Sequence, residues 1–159
     1  MNIQPIGIIR TAFREPPGTP IQPGAAAGAE GIVEIDPRYA EGLNDLEGFE
    51  RIWLVYWFHQ AASPRLTVRP YMDAVERGLF ATRAPCRPNP IGISCVRLLR
   101  VEGCQLHVAD VDMLDGTPLL DIKPYAPQLD HFQVRRVGWL EGKTLEGGKA
   151  DGRFAAEQG

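Results

Sequence analysis

RIWLVYWFH, residues 51–59, is the most apolar run in the chain. It is rich in aromatic and β-branched residues and too short for a typical core helix, so it reads as a central strand buried on both faces. Downstream, IGISCVRLLRV (91–101) and CQLHVADVDML (104–114) flank the dipeptide Glu102-Gly103 and predict a hairpin closed by a short turn. The turn signal DGTP then introduces a strand in LLDIKPY (119–125), and FQVRRVGWL (132–140) reads as the last strand. Upstream, GIVEID (31–36) alternates as a short strand, while IQPIGIIR (3–10), interrupted by Pro5 and Gly7, suits a sheet edge. Asp36 as N-cap with Pro37 at the first helical position predicts one or two helical turns. YMDAVERG (71–78) suggests another helical turn and LFATR (79–83) another strand.

Short strands separated by turn signals, with few helical periods, predict an all-β antiparallel barrel or sandwich carrying short helical insertions. A long N-terminal loop runs from Thr11 to Gly28, where PPGTPIQPGAAAGAEG holds too many prolines and glycines for regular structure. A chain of 159 residues fits one domain, here set at residues 1–140. EGKTLEGGKADGRFAAEQG, residues 141–159, has little apolar content and is expected to be a flexible tail.

The bulk composition excludes several functions. No stretch approaches the roughly 20 apolar residues of a membrane span, and MNIQPIGIIRTAF lacks the build of a signal peptide, so a cytoplasmic location is expected, with no membrane partner. Cys86, Cys95 and Cys104 are widely spaced, and His59, His107 and His131 form no ligand pair, so neither disulfides nor a metal are expected. A net charge of −3 argues against a generic nucleic-acid binder. Arginine is nevertheless concentrated mid-chain, at Arg65, Arg69, Arg77, Arg83, Arg87, Arg97 and Arg100, which leaves room for a local basic patch.

Two loops carry polar groups that packing does not require. In ATRAPCRPNPIG (81–92), prolines fix the backbone so that Arg83, Arg87 and Asn89 are presented with little entropy left to lose on binding a carboxylate, a phosphate or an adenine edge. Gly92 permits close backbone approach. In LDGTPLLDIKPY (114–125), Asp115, Thr117, Asp121, Lys123 and Tyr125 offer donors and acceptors, although Asp-Gly and Thr-Pro are also ordinary turn chemistry and Asp121 with Lys123 suits an exposed ion pair. The glycines of GAAAGAEG follow a loop and open no helix, so they are not a dinucleotide fingerprint, and no Walker motif, zincin helix or nucleophile elbow is present.

LFATRAPCRPNPIGIS (79–94) and DMLDGTPLLDIKPY (112–125) closely resemble the two signature blocks of the TrmO, or TsaA-like, family, and PIGIIRTAF (5–13) and FERIWLVYWFH (49–59) resemble its opening and central strands. The resemblance spans about residues 3 to 127. It implies an antiparallel β-barrel that works as a homodimer and binds S-adenosylmethionine near the subunit interface. The implied reaction is methylation of N6 of threonylcarbamoyladenosine at position 37, in the tRNA anticodon loop. Carried over by motif, the cofactor contacts are Pro20, Ile21, Gln22, His59, Gln60, Arg83, Ile93, Leu114, Asp115, Gly116 and Thr117. Three positions depart from the pattern: Ala84 and Cys86 stand where relatives often have serine and a bulkier residue, and Ile21 where a basic residue is common. Many bacterial relatives also continue into a further C-terminal domain.

Methyl transfer from a sulfonium needs alignment and desolvation more than a strong catalyst. The acceptor nitrogen, conjugated to a carbamoyl group, is a poor nucleophile, so a group taking its proton helps, and Asp115, Asp121 and Tyr125 are the unranked catalytic candidates. Arg83 and Arg87 suit the methionine carboxylate, tRNA phosphates or the substrate's own carboxylate through bidentate hydrogen bonds, with the division between them open, and Arg87, Asn89 and Lys123 are the candidates for binding the RNA substrate. Two other functions compete: a non-catalytic S-adenosylmethionine- or RNA-binding module of the same fold, and a methyltransferase with another acceptor.

Overall fold

Six antiparallel strands close into a barrel, and every one of them owes its place to alternation of apolar and polar side chains. The computed structural model describes residues 2–26, 28–144 and 148–156. The strands are β1 (Gly7–Thr11), β2 (Glu30–Ile35), β3 (Arg51–Trp57), the short pair β4 (Thr67–Val68) and β5 (Arg77–Gly78), β6 (Ile91–Glu102), β7 (Gln105–Ala109) and β8 (Thr117–Pro124). Around the barrel the order is β1-β2-β7-β6-β3-β8, with β8 returning to β1 through Gly7↔Leu119 and Ile9↔Thr117. Closure leaves β1 paired on both sides, so the edge expected for residues 3–10 does not exist.

Ile9, Val33, Ile52, Leu54, Val96, Leu106, Val108 and Leu119 fill the barrel and are fully buried. β3 is central, between β6 and β8, but its burial alternates: Ile52, Leu54 and Tyr56 point inward, whereas Trp53, Val55 and Trp57 are only half-buried. The expectation of two buried faces is therefore corrected, because a barrel without an outer layer buries one face of each strand. The hairpin of β6 and β7 forms as predicted with the turn one residue later, since Glu102 pairs with Gln105 and Gly103 takes the left-handed φ of 59°. Pro37–Leu43 is a 3-10 helix whose Asp36 side chain accepts from the Arg38 amide.

Between β3 and β6 the chain makes a small lobe with its own core of Val68, Leu79, Ala84 and Cys86. No helical turn forms at residues 71–78, and residues 79–81 are a 3-10 turn instead of a strand, because Pro85, Pro88 and Pro90 leave that stretch no ladder to join. Residues 132–140 do not form the predicted last strand. The barrel is already closed, so this stretch finds no partner among the described residues and leaves Phe132 76% and Val134 68% exposed.

Of the segment expected to be a flexible tail, residues 145–147 and 157–159 lie outside the described residues, but the rest is docked. Phe154 is 5% exposed in the core of the lobe, edge-to-face on Tyr71 at 5.0 Å. Ala150 donates to Thr19 O at 2.7 Å, Ile21 to Gly148 O at 3.1 Å, Ala62 to Phe154 O at 2.9 Å and Ala156 to Gln60 O at 3.0 Å. Low apolar content misled because one phenylalanine and a ladder of main-chain bonds suffice to hold an extended segment.

Candidate active site

One end of the barrel gathers the end of β3 and the starts of β6 and β8, and the loops leaving it enclose a cavity of about 300 Å³. That volume lies at the lower end of small-molecule sites, roughly 300–1,000 Å³. Five segments wall it: Pro16–Gln22 of the first loop, Phe58–Ala61 after β3, the proline-rich loop with Thr82, Arg83, Pro85 and Arg87, the turn Asp112–Leu114 before Thr117, and Ala150, Phe154 and Ala155. Both proline- and glycine-rich segments singled out in the sequence thus converge on one space.

The floor is a buried polar chain. Tyr56 and Ser94 occupy inward positions of β3 and β6, 3% and 1% exposed, with the tyrosine hydroxyl 3.0 Å from Ser94 Oγ. Ser94 in turn donates to Asp112 Oδ1 at 2.6 Å, so the tyrosine hydroxyl is the donor to Ser94. Burial pushes the Asp112 carboxyl up to about 7, against the opposing pull of the Ser94 bond and the Arg83 charge. Burial, and then the Asp112 charge, raise Tyr56 far above its ordinary range, so it stays protonated. Gly92 makes this floor possible, because a Cβ there would overlap the Tyr56 ring and stand 2.8 Å from Phe58.

The residues expected to contact the cofactor fall into two groups. Pro20, Ile21, Gln22, His59, Gln60, Arg83, Ile93, Leu114 and Thr117 line the cavity. Arg83 Nη1 donates to Gln22 Oε1 at 2.9 Å, tying the first loop to the proline-rich loop. His59 Nδ1 lies 3.5 Å from Thr117 Oγ1, and partial burial lowers its pKa. Asp115 and Gly116 stand behind the lining: Asp115 accepts from the Thr11 amide at 3.1 Å and pairs with Arg14, and Gly116 takes φ 77° while donating to Ile9 O at 2.9 Å. They shape the wall without forming it.

Asp121, Lys123 and Tyr125 are not brought to the cavity. They follow Thr117 along β8 away from the cavity, Asp121 facing Val55 in mid-strand and Tyr125, at the far end, donating its amide to Arg51 O. At roughly 3.3 Å per residue Asp121 is about 13 Å and Tyr125 about 26 Å from Thr117. Lys123 and Asp121 pair with each other in solvent at 2.8 Å, along one strand rather than across two, and Tyr125 packs edge-on against Trp53 at 6.0 Å. Arg87 reaches the lining, but its Nη1 donates to Thr82 O and Ala84 O at 3.0 and 3.3 Å, which fixes the loop's own shape. Asn89 is exposed beside the lining, and its carbonyl accepts from Ile91 at 2.7 Å.

Sequence reading passed over Asp112 and Ser94. Asp112 opens the quoted block yet carries none of the turn chemistry that drew attention to Asp115. The usable signal was Ser94, a hydroxyl in the inward phase of a strand whose neighbours in that phase are Gly92 and Val96. A polar group at a core position calls for a buried partner.

Comparison with known proteins places this architecture. The model of the tRNA-methyltransferase O N-terminal domain family matches residues 8–131. The chain belongs to this family. Its barrel superposes on a crystal structure of TrmO from Pseudomonas aeruginosa with a TM-score of 0.73 at 41% identity, covering 87% of this chain and 62% of that one. An S-adenosyl-L-methionine-binding protein of Archaeoglobus fulgidus is 40% identical over 82% of this chain and 93% of its own length. A mouse tRNA (adenine(37)-N6)-methyltransferase is 35% identical over 87% of this chain, which spans 36% of the mouse protein. Among the described residues no helix is long and apolar enough to cross a membrane, and no group of three or more His, Cys, Asp or Glu residues is arranged to hold a metal.

Proposed function

We propose that this chain transfers a methyl group from S-adenosylmethionine to N6 of threonylcarbamoyladenosine at position 37 of tRNA, with the cavity holding the donor. The observation that carries the reading is the convergence of the two signature loops on a single small-molecule cavity lined by two arginines and one carboxylate. The relatives' names and family membership support it.

The cavity suits an adenosyl sulfonium. Phe58, Ile93, Met113, Leu114 and Phe154 offer apolar walls for a nucleoside, and the Asp112 carboxylate offers a counter-charge to a cation. Arg83 at the rim matches a methionine carboxylate. Bound, the donor supplies an activated methyl group. The chain's part is to align it, exclude water and leave one face open to the acceptor.

The surface of the lobe that carries the proline-rich loop fits an anionic, single-stranded loop. Of the mid-chain arginines, Arg77, Arg97 and Arg100 are paired with Asp73, Asp110 and Glu102. Arg65, Arg69, Arg83 and Arg87, all within the lobe, have no carboxylate partner among the described residues, and Phe80 and Leu66 stand exposed beside them. Unpaired cations with an exposed aromatic ring are what phosphates and splayed bases of an anticodon loop engage. Exposed Phe132 and Val134 on an unpaired segment support assembly with a second copy of the chain.

The test incubates the protein with labelled S-adenosylmethionine and tRNA bearing or lacking the threonylcarbamoyl group. Label confined to the modified tRNA is the expected result, lost in Arg83→Ala. Donor binding with no transfer to any tRNA would replace this reading with a binding module, and label in other acceptors would replace the substrate.

A further inference from the structure

The cavity must dispose of a proton, since an N–H nitrogen that gains a methyl group has to lose its hydrogen. Few lining groups can take it. Arg83 and Arg87 are permanent cations, and Tyr71 is protonated, pushed up to about 12 by burial, with its hydroxyl donating to Asp151 O at 3.3 Å. Tyr56 is fully enclosed, and its hydroxyl is committed to Ser94. Among the described lining residues two acceptors remain, Asp112 on the floor and His59 on the rim.

We propose that Asp112 is the catalytic base, its Oδ2 taking the proton from the acceptor nitrogen while Oδ1 is held by Ser94. The assignment rests on the methyl-transfer reading above. Geometry favours it over His59. Asp112 is the one carboxylate among the cavity's described lining residues, and its position is fixed by a chain running from Tyr56 through Ser94 to Oδ1, at 3.0 and 2.6 Å. Val111 and Met113 are buried on either side, which clamps the backbone that carries it. Ser94 is its only side-chain donor among the described residues and binds Oδ1, so Oδ2 carries no side-chain hydrogen bond, and the residue lines the cavity. His59 is exposed, has only long contacts of 3.4 and 3.5 Å, and its lowered pKa makes it the weaker base.

The step balances without a further reagent: the sulfonium C–S bond breaks with its electron pair going to sulfur, the nitrogen forms the new N–C bond, and the N6 proton passes to Oδ2. Asp112 then returns the proton to solvent through the open side of the cavity. Burial sets its titration, opposed by the Ser94 hydroxyl from the barrel, its own backbone amide and the Arg83 charge from the proline-rich loop, with Tyr56, Arg87 and His59 on the same lining. A carboxyl raised to about 7 is a base matched to neutral pH.

Single-turnover transfer to threonylcarbamoylated tRNA, followed from pH 5 to 9, should rise through a midpoint below the free protein's 7, because the bound cation favours the ionised carboxylate, and level off. Asp112→Asn should lose about 10²- to 10⁴-fold in rate, as a removed general base does, and lose the pH dependence. Its thermal unfolding should match wild type near pH 4, and it should still bind S-adenosylmethionine, with an affinity lowered by the loss of the counter-charge. Ser94→Ala, which removes the bond holding the carboxylate form, should move the midpoint to higher pH. Calorimetry gives a readout without turnover: donor binding at pH 7 should release up to about half a proton in the wild type, because the arriving cation favours the ionised carboxylate, and release none in Asp112→Asn. Undiminished transfer by Asp112→Asn, donor binding abolished in that variant, or proton release unchanged by it would each overturn the assignment alone. A wild-type protein that binds the donor but methylates no tRNA would remove the parent reading together with this one.

Discussion

Phe154→Ala tests whether the segment at residues 148–156 is part of the site or merely rests on it. The ring is 5% exposed and packs on Val68, Leu79, Ala84, Cys86 and Tyr71. A buried phenylalanine removes roughly 200 Å² from water, worth about 5 kcal/mol at 25 cal/mol/Å² as an upper bound. Truncation in a packed core costs about 3–5 kcal/mol, so a local loss of about 3 kcal/mol is the conservative figure. Because the cost falls on a segment held to the barrel by few main-chain bonds, it should appear as local opening rather than global unfolding. At about 1.4 kcal/mol per tenfold, amide exchange at Ala62, Ala150 and Ala156, whose bonds tie the segment down, should accelerate about 100-fold. Amides of β3 and β6 should be unaffected, and affinity for S-adenosylmethionine should fall, since Phe154 and Ala155 line the cavity. Exchange accelerated equally in β3, or unchanged at all three amides, would refute the reasoning, as would full affinity alongside the accelerated exchange.

The two other expectations concern charge and assembly. Asp112 is raised from an ordinary 3.8 to about 7, so the native state favours its protonated form; the stability this gives is complete below about pH 4 and is lost as pH rises to 7. The Tm of Asp112→Asn minus that of wild type should therefore grow between pH 4 and 8, and a difference constant with pH would refute the raised value. Asp36, Asp73, Asp151 and Glu102 are lowered by arginine partners and act with the opposite sign at acid pH, which is why the difference is the quantity to read. If the exposed stretch around Phe132 and Val134 joins two copies, Phe132→Asp with Val134→Asp should turn a dimer into a monomer by analytical ultracentrifugation. An unchanged sedimentation coefficient would locate the interface elsewhere.

Much of the barrel is legible in the sequence because each strand carries its own alternation. Ile52, Leu54 and Tyr56 mark the inward phase of β3, and Gly103 marks the hairpin turn, without reference to anything distant. What cannot be read is where pairing partners run out. Residues 132–140 have the composition of a strand, and only the closure of β8 on β1 leaves them unpaired. The docked tail was invisible for the converse reason: main-chain bonds to Thr19, Ile21, Gln60 and Ala62 do not depend on side-chain type. In the site, nine of the residues carried over by motif line one cavity, while Asp121 and Tyr125 share a motif with Thr117 but are drawn away along β8 at strand spacing. Asp112 was hidden because its neighbours in space, Tyr56 and Ser94, come from two other strands.

The antiparallel contact of Ile9 with Thr117 is the seam at which the ring shuts, and the site straddles it. Phe13 O receives the Asp115 amide and Ile9 O the Gly116 amide across the same junction, so the loop following β1 and the turn preceding β8 become neighbours only when strands more than a hundred positions apart have met. Loop-closure entropy makes that junction a late event in folding. A partly folded chain would hold the β6–β7 hairpin and most of the apolar interior and still have no place for a nucleoside. Ligand affinity is thus a sensor of ring completion, and a ligand that binds only the finished form slows the reopening of the seam without hastening its formation.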